Sequence, residues 1–261
     1  MVDELVDHHG GEHGDVPQAR AELAATGALR AHINLGNPVL THGTPQDPGG
    51  VSVDIAREAA RRLGVPVEFT CVDAARHSFD ALVQGRADLA FLADEPARAA
   101  QVAFTPPYVL IEGVFVVPDD SPITTVQEAD RPGVRIGVKE GSAYDLYLTR
   151  TLAHAQLVRG AEGVDVYLDE ALEAGAGVRQ PATRWVQEHP GHRVVPQRFQ
   201  EIAQCAATRP DLSQSTLAWV AQFVEELKAS GFIADSLARA GQEATVAPPR
   251  WPAAAQVLTS C

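Results

Sequence analysis

The chain has 261 residues, a length suited to one large or two modest domains. Apolar residues make up 45%, enough for a sizeable core, and 21 Gly with 18 Pro are too few to suggest disorder. A formal charge of −13 at pH 7 argues against a nucleic-acid partner, whose phosphates need a basic face, and no apolar run approaches the roughly 18 residues that span a bilayer.

Residues 1–17 are polar, rich in His, Gly and acids, and read as a mobile tail. His8, His9, His13 and Glu12 are metal-ligand types, but no apolar frame holds them, so no metal or other cofactor is expected. The same segment lacks the basic stretch and apolar core of a signal peptide, which leaves two readings open: a cytoplasmic chain, or one whose leader was removed. A short helix is predicted over 17–27 and a strand over 30–35. Ile55, Ala59 and Leu63 lie at helical spacing in 53–63, and Gly64 is the stop. Residues 65–72 are β-rich. Ser78 is the predicted N-cap of a short helix closed by Gly85. The run 87–93 is nearly all apolar, as in a strand buried on both faces, and 114–117 is a second such strand.

The pattern then restarts. A strand over 134–138 leads to Gly141-Ser142 and a helix through Leu152. A strand at Leu157, a helix over 165–173, a strand over 177–179, a helix from Pro181 and a strand at 194–195 follow. The last part holds a strand over 202–207, a helix over 212–231 with Leu217, Val220, Val224 and Leu227 on one face, and a shorter helix over 233–241. Cys71, Cys205 and Cys261 cannot make a disulfide framework, and the first two sit in apolar runs as buried thiols would. Strand–helix alternation in two blocks predicts an α/β protein with two largely parallel sheets flanked by helices. Such sheets bind ligands at the carboxyl ends of their strands, and two of them face to face make a cleft.

Several segments, in order, resemble the amino-acid-type (family 3) extracellular solute-binding proteins of ABC uptake systems. They are Gly50-Val51-Ser52-Val53-Asp54-Ile55 with 60–65, Phe79-Asp80-Ala81-Leu82 with Gly85 and Asp88-Leu89, and Arg98-Ala99-Ala100-Gln101-Val102 with Phe104 and Pro107-Tyr108. Val114 to Pro118, Gly137-Val138 with Gly141-Ser142 and Tyr144, and 224–231 complete the series, which runs from about Leu29 to Gly241. The resemblance implies a two-lobed type 2 periplasmic-binding-protein fold with two hinge strands. Lobe 1 would be 29–114 plus 204–245 and lobe 2 would be 118–200, with a tail and short helix over 1–28 and a C-terminal extension over 246–261. It also implies an extracytoplasmic monomer that closes around a small solute and meets ABC transporter membrane subunits.

By the same resemblance Arg98 is the arginine that grips the ligand carboxylate, a role suited to the planar fork of a guanidinium. Gly141-Ser142 is the segment where lobe 2 turns a helix N-terminus to the ligand; Ser142 also reads as a plain N-cap. Two departures stand out. The family's Thr or Ser shortly before the arginine is missing in Leu92-Ala93-Asp94-Glu95-Pro96-Ala97-Arg98. Arg179, in Gly177-Val178-Arg179-Gln180-Pro181, stands where the family has the aspartate for an α-amino group. Arg98 and Arg179 across a cleft would suit a small anionic organic solute, a dianion or an acid with an acceptor at each end; Arg179 also reads as a surface or interlobe ion-pair residue. Asn34 and Asn37 can bind a ligand or shape the Gly36-Asn37-Pro38 turn. Tyr108 and Glu112 flank the hinge and could reach the cleft, or pack in the core and pair at the surface. Trp185 and Trp219 read as packing residues.

Two other functions compete. A dehydratase-like enzyme on this fold would need an acid in the cleft, such as Glu112, Asp94 or Glu95. His77 and His154 are isolated and no nucleophile or metal motif is visible, so a non-enzymatic binding protein is the expectation. A ligand-sensing or partner-binding module without a transporter is the other alternative.

Overall fold

The protein is described here by a computed structural model covering residues 15–249. Helix α1 (Val16–Leu23) comes first, then strand β1 (Leu29–Asn34), a small ribbon of β2 (His42–Gly43) and β3 (Pro48–Gly49), α2 (Val51–Leu63), β4 (Val67–Val72), α3 (Ala75–Val83), β5 (Leu89–Ala93) and the short α4 (Pro96–Ala99). A 16-residue strand, β6 (Ala103–Pro118), leads into α5 (Val126–Ala129), β7 (Arg135–Lys139), α6 (Ala143–Thr151), β8 (Gln156–Gly160), α7 (Gly163–Asp169), β9 (Ala174–Val178), α8 (Arg179–Glu188) and β10 (His192–Val194). The return strand β11 (Gln200–Thr208) is followed by α9 (Gln214–Ala229), α10 (Phe232–Arg239) and β12 (Thr245–Val246).

The local choices follow the sequence. The apolar stripe of α2 buries Val51, Ile55, Ala59 and Leu63, and Gly64 ends the helix in the left-handed region (φ +66°), its N–H returning to Ala60 and Arg61 carbonyls. All five residues of β5 are buried, the condition of a central strand covered on both faces. Helix α1 is tied to α9 by Glu22, whose carboxylate accepts from the Ser213 N–H at 2.9 Å. That backbone hydrogen bond holds the Glu22 carboxyl near pKa 2.

The strand order β4-β1-β5-β11-β6-β9-β7-β8 makes one continuous sheet, with β10 and β12 also paired to β6. Pairing is parallel on the outer parts, β4/β1/β5 and β9/β7/β8, and antiparallel where β11 and β6 join them. The two outer parts are the two lobes, and β6 and β11 cross between them.

Four elements differ from the sequence reading. Strand β6 begins at Ala103, not 114. Pro106 and Pro107 hide it in the sequence, and the structure accommodates them where the pairing to β11 slips, between Gln204 and Cys205 and between Cys205 and Ala207. Ser78 is no N-cap: α3 starts at Ala75 and Ser78 lies inside it, buried, with an unbonded Oγ. Strand β9 ends at Val178, so Arg179 opens α8. Residues 245–247 pair with β6 and with the Tyr108 carbonyl, so the C-terminal extension begins as part of the sheet. Cys205 is buried as expected, whereas Cys71, on the outer strand β4, is only partly buried. Cys261 and the His8, His9, His13 and Glu12 cluster lie outside the described residues.

The first turn of α7 sits directly on the sheet. A Cβ on Gly163 would lie 2.2 Å from the Ala176 carbonyl oxygen and 3.0 Å from that of Gly137, whereas one on Gly177 would meet nothing closer than 3.7 Å. Gly163→Ala is therefore expected to destabilise the protein by about 1–3 kcal/mol through overpacking, and Gly177→Ala, which meets only ordinary van der Waals contacts, to cost clearly less. Urea unfolding of both variants checks the contrast.

Candidate functional site

The lobes enclose a cavity of about 440 Å³. Its wall is made where strands end: Asn34 to Pro38 after β1, Phe91 to Ala93 and Arg98 after β5, Lys139, Glu140 and Ser142 to Tyr144 after β7, Glu162 to Asp165 after β8, and Ala176 to Val178 closing β9. The carboxyl ends of parallel strands are where open α/β sheets bind ligands. Ile111 on β6 with Ile202 and Gln204 on β11 complete the lining from the crossing strands.

Arg98 is the most deeply placed charge in this wall. The proline at the start of α4 and the short turn that follows fix its backbone, and the residue is only 3% exposed. Its Nη1 donates to the Ala93 carbonyl at 3.3 Å and its Nη2 to the Gly141 carbonyl at 2.9 Å. No carboxylate pairs with it among the described residues. Burial pushes its pKa down to about 10, against the nearby charge of Glu95, which leaves it cationic at neutral pH.

The Gly141 that receives Arg98 has φ +69° and begins the turn into α6. Ser142 caps that helix, its Oγ accepting from the Asp145 N–H at 3.1 Å, while the Asp145 carboxylate accepts from the Gly141 N–H at 2.9 Å. Ala143 and Tyr144, in the first turn, line the cavity. First-turn N–H groups lack intrahelical acceptors, and the helix end is partly positive. Burial and the charge of Glu162 push the Tyr144 phenol well above its ordinary value, so it remains a neutral donor. A guanidinium and a helix N-terminus thus meet at one side of the cavity.

Asn34 and Asn37 line the cavity and also shape their turn, each side-chain oxygen accepting a backbone N–H two residues on, from Gly36 at 3.0 Å and Val39 at 3.3 Å. The turn-shaping role is thus present in the geometry, and their place in the wall brings them to the cavity. Tyr108 is fully buried behind the wall, bonded to Ser52 Oγ at 3.0 Å and set edge-on to Phe91 at 5.9 Å. It does not reach the cavity, because alternation along β6 turns it into the core.

Arg179 and Glu112 are brought together, but outside the cavity. Arg179 Nε pairs with Glu112, whose other oxygen takes Arg198 Nη1 at 3.0 Å, and Arg179 Nη2 donates to the Pro196 carbonyl at 2.9 Å. The two-arginine clamp across the cleft is therefore not formed. The reason is the end of β9: Val178 takes the cavity-facing position and Arg179, one residue later, opens the next helix away from it. Asp94 is exposed, and Glu95, only 2% exposed, is held by Arg150 and by Gln200 Nε2 at 2.6 Å. Neither lines the cavity. Trp219 packs in the core, stacked on Phe223 at 5.5 Å.

Sequence reasoning missed Trp185, Gln204, Phe91 and the Lys139–Glu162 ion pair, all in the cavity wall. The strand-end position of Phe91 and Lys139 was a usable signal. Trp185 on a helix and Gln204 in a crossing strand had none.

A family model described as bacterial extracellular solute-binding proteins, family 3, matches residues 33–242. No curated protein matches the sequence. Among solved structures, a mutant of ArgBP from T. maritima is 22% identical with a TM-score of 0.71, covering 86% of this chain and 100% of that one. The cysteine-binding protein from Campylobacter jejuni is 18% identical with a TM-score of 0.71, covering 88% and 100%. An ancestral amino-acid-binding protein, described as a precursor of cyclohexadienyl dehydratase, is 21% identical with a TM-score of 0.68, covering 84% and 97%. At these identities the likeness is one of fold, and it agrees with the two-lobed α/β architecture expected from the sequence.

The hinge cluster has its own signature. Burial alone would push the Glu112 carboxyl up, but hydrogen bonds and charge from Arg179 and Arg198 outweigh it and hold it below its ordinary value. Its contribution to stability is then present above the ordinary glutamate value of about 4.3 and is lost as pH falls through the lowered folded value. Glu112→Gln is expected to flatten that part of the stability–pH curve and to cost about 0.2–1 kcal/mol at pH 7, as read by urea unfolding across pH.

Proposed function

We propose that this chain, which belongs to the bacterial extracellular solute-binding proteins of family 3, captures a small carboxylate-bearing solute in its cleft for an ABC transporter of the amino acid type. The observation that carries the reading is Arg98: a guanidinium 3% exposed, in the cavity wall, beside a helix N-terminus and without a carboxylate partner among the described residues. A buried cation of this kind is completed by an anion. A ligand carboxylate can take the fork of Arg98 on one side and the first-turn N–H groups of α6 on the other. Apolar wall from Phe91, Ile111, Ile202, Val178 and Trp185 would then cover the body of the solute.

The family's α-amino subsite has no counterpart here, since the end of β9 offers Val178. With Arg179 committed to Glu112, a single anionic group fits better than a dianion. A binding role fits better than a dehydratase, because Asp94, Glu95 and Glu112 lie off the cavity, and of the acids that line it Glu162 is paired with Lys139 while Glu140 and Asp165 are exposed.

Closure is part of the proposal. We take lobe 1 as 29–114 with 204–245 and lobe 2 as 118–200, hinged on β6 and β11. Contacts bridge the cleft from lobe 1 to lobe 2: Arg98 to the Gly141 carbonyl, Arg76 Nη1 to the Glu140 carbonyl at 2.9 Å, and the Glu95–Arg150 ion pair. Binding would favour this closed arrangement, and the closed form would be what membrane subunits recognise outside the cytoplasm. No helix among the described residues is long and apolar enough to cross a membrane.

Thermal-shift screening of mono- and dicarboxylates, phosphates, sulfonates and the twenty amino acids tests the reading. A true ligand at 100 times its Kd adds about 2.7 kcal/mol of stability. Arg98→Ala is expected to weaken that ligand by roughly 10- to 150-fold, the equivalent of losing about 1.5–3 kcal/mol of charged hydrogen bonding, and Arg179→Ala to change it by less than about threefold. A ligand with no carboxylate, or one indifferent to Arg98→Ala, would overturn the proposal.

A further inference from the structure

We infer that Gln204 is the second polar anchor of the cavity, and that the solute carries beside its carboxylate a neutral hydrogen-bonding oxygen, as hydroxy- and oxo-carboxylates do. The inference rests on the reading of Arg98 as the carboxylate clamp and adds the chemistry of the neighbouring group.

Gln204 lies on the crossing strand β11, lines the cavity and is 6% exposed. Its side-chain amide makes no hydrogen bond to any described residue. The amide is open to the cavity, where a bound molecule can reach it, and it has no partner among the described residues to give up. Gln200, four residues earlier on the same strand and 7% exposed, differs: its NH2 group is committed to Glu95 at 2.6 Å, and its Oε1 is sealed in the interior without a partner among the described residues. Nothing in the fold asks for an amide at 204; the adjoining floor residues Ile111 and Ile202 are apolar.

The position relative to Arg98 is set by strand pairing. Gln204 stands opposite Ala93 on β5, and the Ala93 carbonyl is the one that accepts Arg98 Nη1 at 3.3 Å. Directly opposed residues on a sheet have their Cβ atoms about 5 Å apart. The amide and the guanidinium are therefore within reach of one small molecule.

The charge around this pair selects the partner. A side-chain amide offers a donor and an acceptor, so it satisfies a hydroxyl or a keto oxygen. An ammonium calls for a carboxylate, and the deep wall supplies none: Glu162 is paired with Lys139, Glu95 and Glu112 are paired with arginines off the cavity, and Val178 ends β9. Glu140 and Asp165 line the cavity but are exposed, at its solvent side.

Calorimetric titration of the full chain tests this with sets of acids that share a skeleton. Each set holds the unsubstituted acid and its 2-hydroxy, 2-oxo and 2-amino forms, built on propanoate, 4-methylpentanoate and 3-phenylpropanoate. In at least one set the hydroxy or oxo acid should bind the wild type about tenfold more tightly than the unsubstituted acid. In Gln204→Leu that advantage should fall below about twofold, while the unsubstituted acid keeps its affinity and its dependence on Arg98. Gln204→Met, nearly the same shape, serves if the leucine variant does not fold. Carboxylates that bind through Arg98 with no polar preference, with a preference unchanged in both Gln204 variants, or with the amino acid bound best, would overturn this inference alone. Carboxylates that bind nowhere in an Arg98-dependent way would overturn the carboxylate reading, and this inference with it.

Discussion

A guanidinium taken out of water must find acceptors for five N–H bonds, and Arg98 finds two, both peptide carbonyls. Peptide carbonyls satisfy the donors but do not neutralise the charge. The consequence runs through the whole arrangement. One of those carbonyls belongs to lobe 1 and the other to the turn before α6, so the cation proposed to take an anion also holds the lobes together. An incoming carboxylate would meet a site already assembled, at the point where the dipole of α6 and the charge of Arg98 add.

The crossing strands explain how this point is placed. β6 is long enough to pair with β11 on one side of the molecule and with β9 and β10 on the other. Residues at the crossing therefore line the cavity, and Ile111, Ile202 and Gln204 do so. Charged groups near the crossing are withdrawn from the cavity by pairing: Glu112 with Arg179 and Arg198, and Glu95 with Arg150. Among the described residues, what remains deep in the wall is the unpaired Arg98 cation, the Gln204 amide, the neutral hydroxyls of Tyr144 and Ser52, and apolar surface. That simplicity underlies the preference proposed for a monocarboxylate with a neutral polar neighbour.

Most of the fold was legible in the sequence, because helix periodicity in 53–63 and 212–231 and the apolar runs 87–93 and 114–117 report directly on burial. The first part of the hinge strand, from Ala103, was not, since Pro106 and Pro107 argue locally against a strand and only long-range pairing with β11 overrides them. The site divides in the same way. Arg98, Gly141, Ser142, Asn34 and Asn37 lie in short segments whose order along the chain identified them, and the structure brings them to one cavity or its edge. Arg179 was misjudged by a single residue: Val178 rather than Arg179 ends β9, and one step along a strand reverses the direction of a side chain. Gln204 and Trp185 carry no local signal at all; their place depends on which strands and helices meet across the cleft.

The central claim is that a solute carboxylate completes Arg98. A crystal structure of the protein grown with the tightest-binding acid from the thermal-shift screen tests it most directly. The account predicts that carboxylate at about 2.7–3.2 Å from the Arg98 guanidinium, with its other oxygen on the first-turn N–H groups of α6. A ligand bound with its carboxylate elsewhere, and Arg98 still bonded only to the Ala93 and Gly141 carbonyls, would contradict it.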